Sequence, residues 1–284
     1  MAKWRKSKRL CNSPFFTERD FRELLDGGQA FRWNRISDNT YEGVFENIAA
    51  RLSLDSEGKV CAALPEGFDE DSALIRIADY LDFGRDYEKI LKSQTDPHVV
   101  EAAKHFPTLR ILRQNPREAI ICFICSSSKR IVQIKQCVRL LSENLGEKIT
   151  DSHFATPTFE AIAEADDEIL KACKLGFRAA YLKKSARKIL ADKFEPQELI
   201  EMPYEKAKKY LLSLSGVGEK VADCILLFGA AKFEAFPVDT WISKSMAELY
   251  GLDNPKSVRG FAAEKFGENA GYIQQLLFAK VRDK

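Results

Sequence analysis

A lysine and an aspartate in the last third of the chain have the residue types and the setting that covalent catalysis needs. Lys220 follows a short glycine turn and opens a predicted helix, and Asp239 closes the segment P-V-D. The partial positive charge of a helix N-terminus disfavours the ammonium form, so Lys220 is predicted to act as a nucleophilic amine. A carboxylate facing that amine would stabilise a cationic transition state at an acetal carbon. C1′ of a deoxyribonucleoside is such a carbon.

Both residues also have a structural explanation. Asp239 is a natural N-cap for a predicted helix that ends at Gly251, and such a cap stabilises a helix by about 1 kcal/mol. Lys220 would then be an exposed lysine near a helix start, a position that disfavours a cation by roughly a few tenths of a kcal/mol. For Asp239 the cap and a catalytic role are compatible.

The turn before Lys220 has the composition of a phosphate-binding hairpin. Gly216 and Gly218 flank Val217 and are predicted to adopt positive φ, so that backbone N–H groups face one DNA phosphate. The exposed carbonyls of such a turn can also hold a monovalent cation. The carbonyls predicted to do so are those of Leu212, Leu214 and Val217. A glycine turn between helices is common without a ligand, and the interpretation depends on its spacing to Lys220 and Asp239.

The first third of the chain is predicted to form an antiparallel sheet. Aromatic and β-branched residues alternate with polar ones in segments 41–45, 49–54 and 59–64, which follow a break at Gly27-Gly28. Segment 69–82 has helical spacing behind an acidic first turn, so it is predicted to pack on one face of the sheet.

From residue 96 onward the signals are helical. Asp96-Pro97 and Asn115-Pro116 are helix starts, and the apolar segment 116–126 is predicted to be a central core helix. The predicted fold class is therefore α+β, with an antiparallel sheet domain over 1–95 and an all-α domain over 96–284. The latter contains a helix-hairpin-helix motif at about 205–230 and a Gly/Pro loop at 229–239 that ends at the aspartate.

Composition places few limits on function. The chain has 284 residues, 45% of them hydrophobic and 30% charged, with a net charge of only +2, so any basic surface must be local. Two local basic runs, 3–9 and 178–193, are either solvated surface or nucleic-acid contacts.

The seven cysteines are scattered, which favours free thiols in a reducing compartment. No apolar run reaches the length of a membrane span and no signal peptide is recognised, so a cytoplasmic location is expected.

Seven segments, in order along residues 12–278, carry a resemblance to a known family. They are GGQAFRW, DPHVVEAAKHFPTLRILRQNP, FICSSS, LGFRAAY, LSLSGVGEKVADC, FPVDTW and AGYIQQLLF. The chain resembles the 8-oxoguanine DNA glycosylase/AP lyase family, within the helix-hairpin-helix glycosylases. The resemblance implies a bifunctional base-excision repair enzyme that flips and excises 8-oxoguanine from duplex DNA and then cleaves the strand by β-elimination.

The resemblance implies specific roles in the reaction and in base recognition. Lys220 matches the Schiff-base nucleophile and Asp239 the catalytic aspartate. Gly28 matches the glycine whose carbonyl accepts the N7–H that oxidised guanine has and guanine lacks. The base pocket implied by the resemblance consists of Gly28, Cys224, Gln274, Phe278 and Phe228, of which Cys224 and Phe278 sandwich the base and Gln274 reads its edge. Phe228 stands at a pocket position where the family has methionine.

The resemblance also implies DNA contacts. Phe177 matches the aromatic wedge and Arg178 the arginine that contacts the estranged cytosine. Gln133 stands where the family has a second cytosine-reading arginine, so preference for cytosine opposite the lesion is predicted to be relaxed. Trp241 replaces a histidine of many relatives, which puts the phosphate contact there in doubt.

The remaining expectations concern cofactors, partners and rival functions. No C-x6-C-x2-C-x5-C cluster follows Asp239, so we expect no iron–sulfur cluster, and no cofactor beyond the hairpin cation. We expect a monomer that binds double-stranded DNA containing 8-oxoguanine in a bacterial or archaeal cytoplasm. Two alternatives are a glycosylase for another damaged purine, such as an alkylated base, and a non-catalytic DNA-binding protein. Monofunctional glycosylases of that kind need no lysine, so the presence of Lys220 distinguishes the 8-oxoguanine glycosylase/lyase from the first alternative.

Overall fold

The fold was analysed in a computed structural model that describes residues 3–283. Residues 1 and 2, at the start of the predicted sheet domain, and residue 284, at the end of the predicted helical domain, lie outside the described residues. None of the helices in the described part is long and apolar enough to cross a membrane.

The N-terminal part forms an antiparallel five-stranded sheet, as predicted. The strands are β1 (Lys8–Arg9), β2 (Trp33–Ser37), β3 (Thr40–Phe45), β4 (Ile48–Leu54) and β5 (Val60–Ala63). Their order across the sheet is β1-β5-β4-β3-β2, and every neighbouring pair is antiparallel. Trp33 is fully buried, and its indole N–H donates to the Tyr80 hydroxyl at 2.9 Å. This contact ties the sheet to the helix predicted over 69–82.

Helices make up most of the rest. They are α1 (Glu18–Asp26), α2 (Glu70–Tyr80), α3 (Tyr87–Lys92), α4 (Pro97–His105), α5 (Pro116–Ser126), α6 (Ile131–Leu145), α7 (Phe159–Glu164), α8 (Asp167–Ala172), α9 (Arg178–Ala191), α10 (Glu198–Glu201), α11 (Tyr204–Leu212), α12 (Glu219–Ala230), α13 (Thr240–Tyr250), α14 (Pro255–Phe266) and α15 (Ala270–Arg282). A 3-10 turn, Gly267–Asn269, precedes α15.

Local capping chemistry explains where several helices begin. The Asp96 carboxylate accepts from the amides of His98 and Val99 at the start of α4, and the Asn115 side chain accepts from Arg117 N at the start of α5. Both helices have proline at the first position, where no amide hydrogen is needed. The predicted helix starts at these two sites are confirmed.

The core of the helical part is built on α5 and α12. Nearly all residues of α5 are buried, which confirms the prediction of a central core helix. The Phe123 ring of α5 stacks on the Phe228 ring of α12 with centroids 5.5 Å apart. Removing such a ring from a packed core costs about 3–5 kcal/mol, so this pair fixes α12 and the residues at its start.

The two hydrophobic cores interlock around the predicted boundary at residue 95. Phe31 and Tyr87, from the N-terminal part, pack in the core of the helical part. Leu112, from the helical part, packs in the core of the sheet. The sheet part and the helical part therefore share a buried interface to which both contribute residues.

The basic N-terminal run is part of the sheet. Lys8 and Arg9 form the edge strand β1, whereas the sequence suggested a solvated tail or a nucleic-acid contact. Their side chains pair with acids of the same domain: Lys8 with Glu70, and Arg9 with Asp55 at 2.6 Å. A strand of two residues is too short to show alternation in the sequence, because its pairing depends on the neighbouring strand.

Candidate active site

One cavity collects the residues predicted to act on the sugar and on the base. It has a volume of about 420 Å³ and lies between the end of α1, the starts of α6, α12 and α13, and one face of α15. Every residue predicted for catalysis or for the base pocket lines it: Lys220, Asp239, Gly28, Cys224, Gln274, Phe278 and Phe228. The cavity brings together residues from both ends of the chain.

Lys220 lies in the first turn of α12 and is half-buried. Its Nζ is 5.7 Å from the centroid of the Phe123 ring, which forms part of the cavity wall. Cys224 follows one helical turn later and is buried beside the lysine. Burial raises the pKa of the Cys224 thiol to about 11, although the Lys220 amine opposes this shift. The sulfur is therefore a neutral wall of the pocket.

Asp239 begins α13 as its N-cap, as predicted. One carboxylate oxygen, Oδ1, accepts a hydrogen bond from Ile242 N at 2.8 Å. The other oxygen accepts no hydrogen bond from a residue within 3–283 and belongs to a side chain that lines the cavity. The cap thus fixes the rotamer of the carboxylate and leaves one oxygen for the site.

Gly28 lies in the loop between α1 and β2, with φ of +110°. A Cβ at this position would lie 3.3 Å from Ile131 Cδ1, so both the backbone angle and the space favour glycine. The next residue, Gln29, is fully buried and anchors the loop. Its side-chain NH₂ donates to the Arg110 carbonyl, its side-chain carbonyl accepts from Leu112 N, and each of these bonds is 2.9 Å long. The glycine carbonyl is therefore held on a rigid support.

Gln274 and Phe278 lie one turn apart on α15 and line the same cavity, as the four-residue spacing predicts. Gln274 is only 4% exposed. Its side-chain oxygen is buried and has no hydrogen-bond partner within the described residues. A buried amide oxygen without a partner costs about 1–3 kcal/mol, which a bound polar ligand would recover.

The hairpin between α11 and α12 agrees with the prediction at one glycine and departs from it at the other. Gly216 has φ of +81°, and a Cβ there would lie 2.6 Å from the Tyr181 ring. Gly218 has φ of −96° and extended ψ, so the prediction of positive φ was wrong for it. A Cβ on Gly218 would meet nothing within 4 Å, so this glycine faces open space.

Val217 is the buried member of the hairpin. Its side chain packs in the helical core, and its amide donates to the Leu214 carbonyl at 3.2 Å. That amide is therefore used inside the turn. The Leu214 carbonyl keeps a second lone pair, so the carbonyls of Leu212, Leu214 and Val217 still fit a monovalent cation by donor chemistry.

Phe177 projects from the start of α9 and is 56% exposed, the geometry expected of a wedge. Arg178 is only 5% exposed. Its guanidinium donates from Nε to the Ser127 carbonyl at 2.6 Å and from Nη1 to the Leu175 carbonyl at 3.1 Å. It also lies 4.2 Å from the centroid of the Phe177 ring. In this structure the Arg178 guanidinium packs against the Phe177 ring, and it would have to release the Ser127 carbonyl to contact a base.

Gln133 lies in the first turn of α6. Its side-chain carbonyl accepts from Arg130 N at 3.0 Å and so caps the helix. Its NH₂ group has no partner among residues 3–283. The capping role was not predicted, although glutamine three residues after a helix boundary is a known signal for it.

Other cavity residues had no role assigned from the sequence. Phe31 and Phe123 form apolar wall, and the Trp241 side chain is half exposed at the cavity. Gln275 is buried beside Gln274, and its side-chain nitrogen has no hydrogen-bond partner within the described part of the chain. Arg282 lines the cavity at the C-terminal end of α15. Gln275 and Arg282 lie three residues before and four after Phe278, so helical spacing could have placed both.

A second cavity, of about 610 Å³, lies between the sheet and α6. Its lining includes Arg32, Glu42 and His153, and His153 Nε2 lies 3.2 Å from Glu42. Burial lowers the pKa of His153, against the opposing charge of Glu42. This cavity contains none of the residues predicted for catalysis, and we assign the chemistry to the smaller one.

Family models match nearly the whole chain. One described as 8-oxoguanine DNA glycosylase, N-terminal domain, matches residues 16–120. A second, described as HhH-GPD superfamily base excision DNA repair protein, matches residues 121–266. The two matches meet between residues 120 and 121, within α5.

Two of the individual proteins compared are similar in sequence, and a third is similar in fold alone. A probable N-glycosylase/DNA lyase from Methanothermobacter thermautotrophicus is 34% identical over 195 residues, covering 60% of this chain and 62% of that relative. The Clostridium acetobutylicum 8-oxoguanine glycosylase/lyase, solved with double-stranded DNA containing cytosine opposite 8-oxoG, is 31% identical, with a TM-score of 0.86 and coverage of 100% of this chain and 98% of that one. A 3-methyladenine DNA-glycosylase from Archaeoglobus fulgidus, 19% identical with a TM-score of 0.75 over 98% of this chain and 99% of that one, shares the fold.

Proposed function

The chain belongs to the HhH-GPD superfamily of base excision DNA repair proteins, and from this premise we propose that it excises 8-oxoguanine from duplex DNA and then cleaves the strand as an AP lyase. The observation that carries the proposal is the shared cavity. Lys220 and Asp239 line it together with Gly28 and Gln274, so an amine that attacks C1′ would meet groups that read the base.

The reaction begins when the target nucleotide leaves the duplex and enters the cavity. The Lys220 amine forms a bond to C1′ while the bond from C1′ to the base breaks, and the base takes the electron pair and then a proton. The adduct loses the amine proton, and opening of the sugar ring gives a Schiff base. Loss of a C2′ proton expels the 3′ phosphate, and water releases Lys220. The Asp239 carboxylate stabilises the positive charge that develops at C1′.

Lesion identity is read at the other end of the cavity. The Gly28 carbonyl accepts the N7–H of 8-oxoguanine, whereas guanine would present a lone pair there and leave the carbonyl unpaired. Gln274 binds the Watson–Crick edge through an amide whose oxygen lacks a protein partner within the described part of the chain. Phe278 and Cys224 cover the two faces of the base, and Phe228 closes the pocket.

The DNA backbone and the orphan base would be held outside the cavity. The open side of Gly218 suits a phosphate, and Phe177 fills the space that the flipped nucleotide leaves. Arg178 would contact the orphan base after release from Ser127. Gln133 offers an amide in place of an arginine fork, so several opposite bases would be accepted.

The chemistry requires no cofactor, because the chain supplies both amine and carboxylate. A monovalent cation at the carbonyls of Leu212, Leu214 and Val217 would add positive field near the phosphate. We expect a monomer acting on chromosomal DNA. The archaeal and bacterial sources of the Methanothermobacter and Clostridium relatives favour the cytoplasm of a bacterium or archaeon as its location.

Borohydride trapping tests the mechanism directly. Duplexes with 8-oxoguanine opposite each of the four bases are incubated with wild type, with Lys220→Gln, and with Lys209→Gln as a control. Lys209 is an exposed lysine on the preceding helix α11. We expect a covalent complex with wild type and with the control, and none with Lys220→Gln.

Four outcomes would contradict the proposal or a part of it. Absence of a trapped complex with wild type would exclude the Schiff base, and undiminished trapping by Lys220→Gln would place the nucleophile elsewhere. With a parallel duplex that carries an alkylated purine, excision of that base in preference to 8-oxoguanine would favour the alternative substrate. A steep preference for cytosine opposite the lesion would contradict the interpretation of Gln133.

A further inference from the structure

The last residue of α15 makes three contacts at the edge of the base pocket. Arg282 lies one helical turn beyond Phe278, and its guanidinium carbon is 5.0 Å from the centroid of the Phe278 ring. Its Nη1 donates to the Gly27 carbonyl and also lies 3.4 Å from Glu23 Oε1. One side chain therefore links the ring that covers the base to the peptide that precedes Gly28.

The contacts are partly shielded from water. The Arg282 side chain is 26% exposed and the Glu23 side chain 14%. Gly27 N also donates to the Glu23 carbonyl at 2.8 Å, which closes the end of α1. A Cβ on Gly27 would lie 2.3 Å from Glu23 Oε1, so the carboxylate packs directly against the glycine. Charge-assisted hydrogen bonds in such surroundings are stronger and more directional than those at a surface.

Neighbouring ion pairs have a different role. Asp283 lies within 3.6 Å of Arg22 and 3.5 Å of Arg19, which ties the end of α15 to α1 at the surface. Those residues do not line the cavity, whereas Arg282 does. The helix itself is docked by buried residues such as Ile273 and Leu276, so Arg282 is available for a task at the pocket.

We propose that Arg282 is a positioning residue that fixes the Gly28 carbonyl relative to the Phe278 ring and thereby sets discrimination between 8-oxoguanine and guanine. The hydrogen bond to the Gly27 carbonyl fixes the peptide before Gly28, and the anchored Gln29 fixes the peptide after it, so the two together set the direction of the Gly28 carbonyl. Contact between the Arg282 guanidinium and the Phe278 ring fixes the position of that ring, which is the opposite wall of the pocket. The inference rests on the proposed function, since it assigns the Gly28 carbonyl to the base.

Glu23 makes this contact sensitive to pH. Burial raises the pKa of Glu23 to about 7, against the opposing charges of Arg282 and Arg22, and Asp283 and Asp26 raise it further. The carboxylate that holds Arg282 is therefore partly protonated near neutral pH. The peptide contact at Gly27 persists through that change because it uses a carbonyl.

The test compares Arg282→Met and Arg282→Lys with Lys280→Met, a control on the same helix whose lysine pairs with Glu101 at 2.7 Å away from the cavity. Single-turnover excision is measured on 8-oxoguanine and on guanine, and strand cleavage is measured at a preformed abasic site. Thermal melting confirms that each variant is folded. Cleavage at the abasic site uses Lys220 without a base in the pocket, so it reports on catalysis alone.

Arg282→Met is expected to lower 8-oxoguanine excision about 10- to 100-fold, because misplacement of a positioning group has effects of that size. The ratio of 8-oxoguanine to guanine excision falls, abasic-site cleavage falls far less, Arg282→Lys recovers part of the loss, and the control resembles wild type. An unchanged ratio, or an equal fall in excision and abasic-site cleavage, would overturn the inference alone. Failure of wild type to excise 8-oxoguanine would overturn the proposed function as well.

Discussion

At the scale of single residues, Asp239 shows how one side chain serves the fold and the site together. Its Oδ1 caps α13 through Ile242 N at 2.8 Å, and the side chain faces the cavity. The cap needs only a hydrogen-bond acceptor, whereas stabilisation of a cationic transition state needs a negative charge. The two roles can therefore be separated by substitution.

Asp239→Asn is expected to keep the cap and lose the charge. Asparagine caps helices about as well as aspartate, so unfolding free energy should change by less than about 0.5 kcal/mol, while excision falls by at least about 100-fold. Asp239→Ala should lose both, with about 1 kcal/mol of stability. Urea unfolding and single-turnover excision measure the two effects. Normal excision by the asparagine variant would show that the charge is unused.

Residue positions were predictable from sequence where they depend on local chemistry. Lys220 and Asp239 were found from a helix start and a proline loop, and the caps at Asp96 and Asn115 from their own side chains. The contact of Arg282 with Gly27 joins residues 255 positions apart, so no local pattern reveals it. The contact forms only because the two ends of the folded chain pack against each other.

At the scale of elements, the hairpin depends on how α11 and α12 are joined. Asp223 is fully buried in α12, and its Oδ1 accepts from the Tyr204 hydroxyl at 2.7 Å and lies 2.8 Å from the Lys208 amine, both on α11. Burial raises the pKa of the Asp223 carboxyl, against the charge of Lys208. This buried pairing fixes the angle between the helices, and hence the turn that carries Gly216 and Gly218.

The two glycines of the hairpin should respond differently to alanine. Gly216→Ala meets both positive φ and the Tyr181 ring, so it should cost about 1–2 kcal/mol or more of stability. Gly218→Ala has allowed backbone angles and open space, so it should cost less than about 1 kcal/mol. Its methyl group would stand where we propose that a phosphate approaches.

Binding to a duplex with an abasic-site analogue, together with urea unfolding, distinguishes the two variants. Gly218→Ala is expected to bind about tenfold more weakly with nearly unchanged stability, which corresponds to about 1.4 kcal/mol lost in one phosphate contact. If it bound as wild type does, the open side of Gly218 would not be a phosphate site.

Elements were predictable to the extent that their signals are local. Alternation of apolar and polar residues predicted β3 and β4, and the Asn-Pro start with an apolar segment predicted α5, but the two-residue strand β1 and the one-turn helix α10 were not predicted. Short elements gain their stability from neighbours rather than from their own residues. For the same reason the backbone angle of Gly218 could not be inferred from its residue type.

At the scale of the whole molecule, the site exists because the sheet and the helices share buried contacts. Arg32, from the sheet part, lies 3.2 Å from Glu118 of α5, and both side chains are almost fully buried. Thr156 completes the contact, since its hydroxyl donates to Glu118 at 2.7 Å and accepts from Arg32 at 2.7 Å. Breaking a buried pair of this kind costs about 3–5 kcal/mol. Gly28 and Lys220 are held in one cavity by such contacts.

Charge is arranged at the same scale. The N-terminal basic run is neutralised within the sheet domain, through pairs such as Lys8–Glu70 and Arg9–Asp55. In the basic helix α9, Lys183 and Lys188 pair with Asp167 and Asp192, and Arg178 and Arg187 donate to backbone carbonyls. Lys184 is exposed and has no ion pair with any residue from 3 to 283. Lys184 lies on the face of α9 that carries Phe177 and Tyr181, and Tyr181 packs against Gly216 of the hairpin.

DNA binding should therefore depend on a few cations near the hairpin and wedge, despite a net charge of only +2. Each phosphate neutralised by a cation contributes about −0.9 to the slope of log affinity against log salt. Lys184→Gln combined with Arg130→Gln, whose arginine lines the cavity, should make that slope shallower by about 1 to 2. Lys8→Gln combined with Arg9→Gln removes the same charge and should leave the slope unchanged. Fluorescence anisotropy with an abasic-site duplex between about 50 and 200 mM salt measures both. Equal changes in the two double variants would mean that overall charge, and not this face, binds the DNA.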